Sequence, residues 1–226
     1  MARRTLNAPR EPIVRVAPLR WLEDAEHHRV LVREVMLRAS VSVWIATANV
    51  KDMHVEAPVG SAARARGRYV SLLDLLAGLA TRGVELRMLH AAPPSRAFAA
   101  SLRTRRVLEQ GGLLLRRCAR VHMKMLVVDG RFLYVGSANF TGAGLGAKAE
   151  GRRNFETGFL TEDDVLLDAA QARFDRIWTG GECGGCRVRM YCAAPLDTAA
   201  GSTAGGADRK PRCKPNARPT TRLGDP

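Results

Sequence analysis

Hydrophobic residues along the chain follow two periods, one typical of helices and one typical of strands. Apolar side chains recur at helical spacing over residues 21–38, and the β-branched, mostly apolar run at 41–50 predicts a buried strand. Further helices are predicted at 69–83, 95–110 and 163–178, and further strands at 84–91, 112–118, 122–139 and 154–161. Because strands and helices alternate, we expect an α/β sandwich in which a mixed sheet is flanked by helices.

Four polar side chains flank a predicted turn at Asp129-Gly130, and their spacing places each pair on one face of its strand. They are His122 and Lys124 before the turn, and Ser137 and Asn139 after it. If the strands pair about the turn, an imidazole, an ammonium, a hydroxyl and an amide converge. Such donors around one nucleophile suit a phosphate diester, whose oxygens gain negative charge in the transition state. The interleaved apolar residues are expected to face the core: Met123, Met125, Val127, Leu133 and Val135.

This segment resembles the signature of the phospholipase D superfamily, which reads His-x-Lys, four residues, Asp, six residues and then Gly-Ser-x-Asn. The chain matches every fixed position of it, with His122, Lys124, Asp129, Gly136, Ser137 and Asn139. The resemblance covers roughly residues 20–178 and includes a downstream Asn154-x-Glu156. It implies a phospholipase D-like fold and a phosphodiesterase activity.

The resemblance also implies a role for each matched residue of the motif. His122 would attack phosphorus and form a phosphohistidine intermediate. Lys124 and Asn139 would hold the phosphate oxygens, and Ser137 would assist by hydrogen bonding. No metal ion or other cofactor is expected for this chemistry.

Two further residues and a second copy of the chain complete the implied site. Glu156 is expected to orient His122 through the ring nitrogen that does not attack, and Asp129 is expected to tie down the motif without touching substrate. The leaving group needs a proton and water must later be activated, but the chain has a single His-x-Lys motif. The simplest solution is a two-fold homodimer that joins two copies of His122, as in the small bacterial nucleases that this chain resembles.

The charge of the chain narrows the choice of partner. With 36 Lys+Arg against 22 Asp+Glu, the net charge is +14, which favours nucleic acid or an anionic membrane surface. Charge spread over solvated faces explains the same excess equally well. Arginines that could contact backbone phosphates precede the motif and the downstream Asn154: Arg116, Arg117, Arg120, Arg152 and Arg153. The sequence has no apolar run long enough to span a bilayer and no secretory signal, so a cytoplasmic location is expected.

Three functions remain open at this point. The first is a nuclease that cleaves phosphodiester bonds internally and without a metal ion. The second is a phospholipase D that hydrolyses headgroups of phosphatidylcholine or cardiolipin, although no clear membrane-binding helix supports it. The third is a non-catalytic nucleic-acid-binding protein, although an aromatic content of 5% gives little support for extensive base stacking.

The two ends of the chain differ in composition from its middle. Residues 1–18 predict a flexible arm, 19–180 the catalytic domain, 181–197 a Cys-rich knuckle and 198–226 a disordered basic tail. Four of the 5 cysteines lie in the C-terminal part, as free thiols or as ligands of a structural zinc ion or iron–sulfur cluster: Cys183, Cys186, Cys192 and Cys213. Cys118 is expected to be a buried strand residue.

Overall fold

The structure, a computed structural model, describes residues 11–57 and 60–198 of the 226-residue chain. Almost all of the predicted basic tail therefore lies outside the described residues, as does Cys213. The strands are β1 Arg20–Glu23, β2 Ser42–Thr47, β3 His54–Glu56, β4 Tyr69–Ser71, β5 Glu85–His90, β6 Leu114–Arg117, β7 Met125–Val128, β8 Phe132–Gly136 and β9 Thr157–Thr161.

Seven of these strands form one mixed sheet in the order β1-β9-β8-β7-β2-β5-β6, while β3 and β4 form a separate pair. Strand β5 is parallel to β2 and to β6. The other pairs of the sheet are antiparallel, so β7 runs against β2 and begins at the edge where β2 ends. This arrangement confirms the predicted α/β fold with a mixed sheet.

Helices cover the sheet and connect its strands. The α-helices are α1 Ala62–Ala65, α2 Leu72–Thr81, α3 Arg96–Arg103 and α4 Asp164–Trp178, with π-helical segments at His27–Val35 and Leu108–Gly112 and 3-10 turns at Met36–Arg38, Glu150–Arg152 and Arg189–Tyr191. Ser71, Ser95 and Asp163 cap α2, α3 and α4 by accepting a backbone hydrogen bond through their side chains.

Both faces of the central sheet are buried, which explains why its middle strands are apolar throughout. On one face, Leu126, Val128 and Tyr134 pack in a cluster with residues of His27–Val35 and α2. On the other face, the five interleaved apolar residues of the motif pack with side chains of α4, as the sequence predicted. Burial of this apolar surface is the main force that holds the motif hairpin in place.

The structure differs from the sequence prediction where elements are short. Arg20–Glu23 is a strand, although residues 21–23 were predicted as the start of a helix, because it pairs along β9 and buries Leu22. Likewise Tyr69–Ser71 pairs with β3 before α2 begins. The helix predicted at 95–110 ends at Arg103. These pairings depend on distant residues, so tertiary contacts override the local preference.

Part of the predicted N-terminal arm lies against the domain. Only residues 11–18 of it are described. The guanidinium of Arg15 lies 2.8 Å from the carboxylate of Asp163, and the carbonyl of Pro18 accepts a hydrogen bond of 2.8 Å from the hydroxyl of Thr161. These contacts place the end of the arm beside β9 and the start of α4.

Candidate active site

The β7–β8 hairpin carries the motif and is closed by a three-residue loop, one residue longer than a tight two-residue turn. Val128 pairs with Phe132, which leaves residues 129–131 in the loop. This register places Lys124 opposite Gly136, whose N–H donates to the carbonyl of Lys124 over 3.1 Å. A shift of one residue reverses the face of every following side chain. If side chains alternated strictly along β8 and beyond it, Ser137 and Asn139 would therefore lie on the opposite face of the sheet from His122 and Lys124.

Asn139 nevertheless reaches the end of β2, because the chain leaves β8 after Gly136. Its side-chain oxygen accepts hydrogen bonds from the N–H groups of Ala48 and Asn49, each at 3.2 Å, and from the hydroxyl of Thr47 at 3.3 Å. These donors fix the orientation of the amide. The side-chain nitrogen of Asn139 donates to no other residue in the described part of the chain, so it is available to an oxygen of a ligand.

Thr47 joins the two halves of the motif. Strand β2 pairs with β7 in a register that puts Thr47 at the level of Lys124. The hydroxyl of Thr47 also accepts a hydrogen bond of 2.9 Å from the N–H of Phe140, which holds the segment after β8 against β2. Asn139 and Lys124 are thus brought to the same edge of the sheet.

The ammonium of Lys124 lies against His122. It is 3.2 Å from each of the two ring nitrogens and donates to the His122 carbonyl over 2.9 Å. Lys124 is only 9% exposed, and within residues 11–57 and 60–198 no carboxylate forms an ion pair with it. A buried ammonium without a counter-ion is unfavourable. An anion bound beside the exposed ring of His122 would supply the missing negative charge.

Glu156 lies beside Ser137 and does not contact His122. The Ser137 hydroxyl donates to one carboxylate oxygen of Glu156, and the Asn154 side chain donates to the other over 3.0 Å. The backbone N–H of Glu156 donates to the carboxylate of Asp24 over 2.9 Å. Because the described residues show no hydrogen bond between Glu156 and His122, the orienting contact expected from the sequence is not formed. Glu156 positions Ser137 instead.

Asp129 ties the opposite end of the hairpin to the start of β2. Its carboxylate accepts hydrogen bonds of 2.8–3.2 Å from the N–H groups of Ser40, Val41 and Ser42, and one from the Ser40 hydroxyl. Partial burial opposes ionisation, but these hydrogen bonds outweigh it and hold the pKa of Asp129 below its ordinary value. The geometry agrees with the structural role expected for this residue.

Gly136 is required by close packing around Tyr134. A Cβ at position 136 would collide with the hydroxyl of Tyr134 and with the backbone carbonyl of Thr157. Tyr134 is buried, burial raises its pKa, and its ring meets His27 edge-on with 5.4 Å between centroids. The glycine of the motif therefore serves the packing beneath the site.

The arginines that precede His122 are engaged by the protein itself. Arg116 donates to the backbone carbonyls of Trp178 and Leu196, and its guanidinium lies over the Trp178 ring. Arg117 donates to the carbonyl of Ala91 over 3.1 Å. The expectation that these two side chains contact phosphates has no support in this geometry.

The cysteines of the predicted knuckle do not form a metal site within the described residues. Cys183, Cys186 and Cys192 are free thiols, and in the described part of the chain no three metal-binding side chains converge. Cys213, the fourth expected ligand, lies outside it. The geometry therefore gives no support to zinc or an iron–sulfur cluster there. Cys118 follows β6 and is half-buried against the α4 cluster.

Two features of the site had weak sequence signals. Thr47, which positions Asn139, is one of several β-branched residues at the end of a buried strand. Asp24, which fixes the backbone of Glu156, lies in a segment predicted to be helical. A polar residue at the end of a central strand is the signal that could have drawn attention to Thr47, because sites often lie at such ends.

The geometry of this hairpin agrees with a family assignment that rests on the sequence. Residues 32–178 match the family described as "Cardiolipin synthase, PLD-like domain". The chain belongs to the phospholipase D superfamily. This assignment covers most of the chain and includes both halves of the motif. No protein of curated function matches the sequence.

The solved structure of a phospholipase D family member shares the fold. Nuc from Salmonella typhimurium, a phospholipase D family member, is 18% identical, with a TM-score of 0.51 and coverage of 73% of this chain and 95% of that chain. NucT from Helicobacter pylori is 13% identical, with a TM-score of 0.49 and coverage of 70% and 94%. Phosphatidylserine synthase from Haemophilus influenzae is 16% identical, with a TM-score of 0.43 and coverage of 70% and 38%. At 18% identity the likeness to Nuc is one of fold.

Proposed function

We propose that this protein hydrolyses phosphodiester bonds of nucleic acid without a metal ion, through a covalent bond between His122 and phosphorus. The observation that carries the proposal is the buried ammonium of Lys124, which touches His122 and has no carboxylate partner in the described residues. Membership of a superfamily of phosphodiesterases supports the same reaction.

In the first step a ring nitrogen of His122 attacks phosphorus, a nitrogen–phosphorus bond forms and the bond to the leaving oxygen breaks. The ammonium of Lys124 and the amide nitrogen of Asn139 would donate to the two non-bridging oxygens, which gain negative charge in the transition state. The Ser137 hydroxyl, held by Glu156, lies after β8 on the same loop as Asn139. In the second step water attacks phosphorus, the nitrogen–phosphorus bond breaks and His122 is regenerated.

Both steps need a second group that transfers a proton. It would protonate the leaving oxygen in the first step and accept a proton from water in the second. A two-fold dimer would supply this group as His122 of the other protomer, because an isologous interface brings the same surface of each chain together. His122 is exposed, and Phe155 beside Glu156 is 98% exposed, which is unusual for an aromatic ring near a site. The dimer proposed here would cover this ring.

Nucleic acid is favoured as substrate by the charge of the chain, which is +14. The names of Nuc and NucT point in the same direction. Hydrolysis of a phospholipid headgroup is the second candidate, and the description of the matching family as a cardiolipin synthase domain favours it. None of the helices in the described residues is both long enough and apolar enough to cross a bilayer.

The decisive assay compares wild-type protein with His122→Ala in the presence of EDTA. We expect the wild type to cleave plasmid DNA or a single-stranded oligonucleotide and the variant to lose at least about 100-fold in rate. Acid-labile label from a phosphodiester substrate should be trapped on the wild type alone. Equal cleavage by both proteins would refute the role of His122, and hydrolysis of phosphatidylcholine or cardiolipin without cleavage of oligonucleotides would transfer the proposal to phospholipid. Circular dichroism of the variant shows whether it is folded.

The dimer is tested by subunit mixing. If each reaction needs His122 from both protomers, a mixed dimer with one His122→Ala chain is inactive. After exchange between equal amounts of wild-type and variant protein, about a quarter of the dimers are then active, against about half of the sites if each chain works alone. Light scattering of the wild type establishes its mass, and a monomer with full turnover would exclude the shared site.

A further inference from the structure

A cleft of about 880 Å³ is lined in part by residues that lie close in the chain to Asn139 and Glu156. Its volume is at the upper end of the range for small-molecule pockets, about 300–1,000 Å³. Cationic side chains on its walls outnumber acidic ones, and they are Arg29, Arg33, Lys148, Arg152 and Arg153. None of the residues assigned to catalysis lines this cleft, so it is a separate feature of the surface.

Only part of this positive charge is neutralised by the protein. Arg29 lies 2.9 Å from the carboxylate of Glu26, and Arg33 lies 3.4 Å from that of Glu56. By contrast, three further cations form no ion pair with any described residue: Lys148, Arg152 and Arg153. The cleft therefore has positive charge available for an anionic ligand.

The three cations without ion pairs are concentrated on one segment of backbone. The 3-10 turn Glu150–Arg152 lies between Lys148 and Arg153, and the guanidinium of Arg153 donates to the carbonyl of Lys148 over 2.6 Å. This bond closes the segment on itself. The segment therefore offers more than one cation to a ligand that carries several negative charges.

An aromatic ring lies on the same surface. Tyr69, the first residue of β4, lines the cleft and is 61% exposed. Basic grooves that carry exposed aromatic rings bind single-stranded nucleic acid, because phosphates pair with the cations and bases stack on the rings. A phospholipid would instead require an apolar rim for its acyl chains.

The walls of the cleft continue into the candidate active site along two segments of chain. Gly142 lines the cleft and follows Asn139 by three residues, while Arg153 precedes Glu156 by three. The two segments are joined where the N–H of Asn154 donates to the carbonyl of Ala143 over 3.1 Å. These links connect the cleft to the segments that carry Asn139 and Glu156.

We propose that this cleft binds the single-stranded nucleic acid that flanks the scissile phosphate. Lys148, Arg152 and Arg153 contact successive phosphates, and Tyr69 stacks on a base. Binding to the cleft does not depend on catalysis, but its role as a substrate subsite rests on the function proposed above. The cleft would then favour long substrates over small phosphodiesters.

Binding is measured in the His122→Ala protein, so that cleavage does not interfere, by fluorescence anisotropy of a labelled single-stranded 12-mer. The triple variant Lys148→Gln, Arg152→Gln, Arg153→Gln should bind at least about 10-fold more weakly, and the slope of log affinity against log salt should fall by about 2, since each phosphate contact on a single strand contributes about 0.7. Tyr69→Ala should weaken binding by about 5- to 150-fold, the range for one stacked base.

The matched control removes three arginines from the opposite edge of the sheet, with Arg38→Gln, Arg82→Gln and Arg106→Gln. These exposed residues precede β2, β5 and β6, whereas His122 lies where β2 ends. The same loss of charge should leave the salt slope close to that of the parent. If the two triple variants lost affinity equally, the cleft would not be a binding site and the overall charge of the protein would explain binding.

A second measurement separates this proposal from the proposed reaction. With His122 intact, the cleft variant should hydrolyse bis(p-nitrophenyl) phosphate within about two-fold of wild type, since this small diester does not reach the cleft, while its kcat/KM on the 12-mer falls at least about 10-fold. If neither the wild type nor the cleft variant hydrolyses the small diester, the proposed reaction is refuted, whereas the binding result is unaffected. If the cleft variant loses affinity for vesicles containing phosphatidylglycerol but binds the 12-mer normally, the cleft binds lipid and the proposal is wrong.

Discussion

The ammonium of Lys124 donates to the backbone carbonyl of His122 and lies equally close to both nitrogens of its ring. The lysine is thus fixed by the residue with which we propose that it acts, two positions earlier in the chain. Because these contacts hold the two side chains together, any phosphate that approaches His122 also approaches the ammonium. The two side chains are expected to act as one unit, and the loss of either should be nearly as harmful as the loss of both.

Lys124→Met should lower activity and leave stability intact or improved. The variant removes the donor to the transition state, so we expect a loss of at least about 100-fold in kcat. It also removes a buried ammonium without a counter-ion, so the free energy of unfolding should stay within about 1 kcal/mol of wild type or rise. Urea denaturation and steady-state kinetics measure the two effects. A destabilised variant would instead assign Lys124 to the fold.

Two substitutions of Asn139 separate the role of its side-chain oxygen from that of its side-chain nitrogen. Asn139→Asp keeps an oxygen for the N–H groups of Ala48 and Asn49 but replaces the donating nitrogen by negative charge, so activity should fall at least about 100-fold with little change in thermal stability. Asn139→Ala removes the oxygen as well and should lower the free energy of unfolding by about 1–3 kcal/mol. If both variants had equal stability, the contacts of this oxygen would be unimportant.

The carboxylate of Asp129 should make stability depend on acid pH. Its pKa is lowered in the folded protein, so its contribution is present above the ordinary aspartate pKa, near 3.9, and is lost as pH falls through the folded value. Asp129→Asn should lower the free energy of unfolding by about 1–3 kcal/mol at pH 7. The difference from wild type should shrink below about pH 4.

The matched control for this pH series is Asp168→Asn. Asp168 is an exposed residue of α4, and its side chain makes no ion pair or hydrogen bond within the described residues. Its replacement should be neutral over the same pH range. A difference between Asp129→Asn and wild type that stays constant from pH 7 to pH 3 would show that shape rather than charge stabilises the loop.

Cys186 should be more reactive than Cys118 toward iodoacetamide at pH 7. The backbone N–H of Val188 and the guanidinium of Arg120 lower the pKa of Cys186, which increases the fraction of thiolate. Arg120→Ala should slow alkylation of Cys186 several-fold and leave Cys118 unchanged. Mass spectrometry after timed labelling measures both rates, and faster labelling of Cys118 would contradict the assignment.

The central strands and the long helices could be predicted because their signals are local. β2 is a mostly apolar run, β5 alternates apolar residues with Glu85 and Arg87, and α4 starts with a capping Asp163 and keeps helical spacing to Trp178. β1 could not be predicted in this way, since its ladder partners lie in β9 near the other end of the domain. Short edge strands carry little hydrophobic pattern of their own.

The site residues were identified from the motif, but their arrangement depends on features that the motif does not contain. Arg131 lengthens the loop by one residue, and this changes which side chains of β8 lie on the same face of the sheet as those of β7. The convergence is restored by Thr47 and the two amides that follow β2. Glu156 was expected at His122 and contacts Ser137. Spacing along the chain fixes which residues take part, whereas their contacts depend on how distant strands meet.

The hydrogen bonds that Ala48 and Asn49 donate to Asn139 have a consequence for the newly made chain. Ala48 and Asn49 leave the ribosome long before Asn139. A chain that has been translated only up to β2 therefore carries no complete pocket for a phosphate. The pocket forms only when the last strands have been added to the sheet. The nuclease activity proposed above would therefore be absent until β7, β8 and Asn139 have been synthesised.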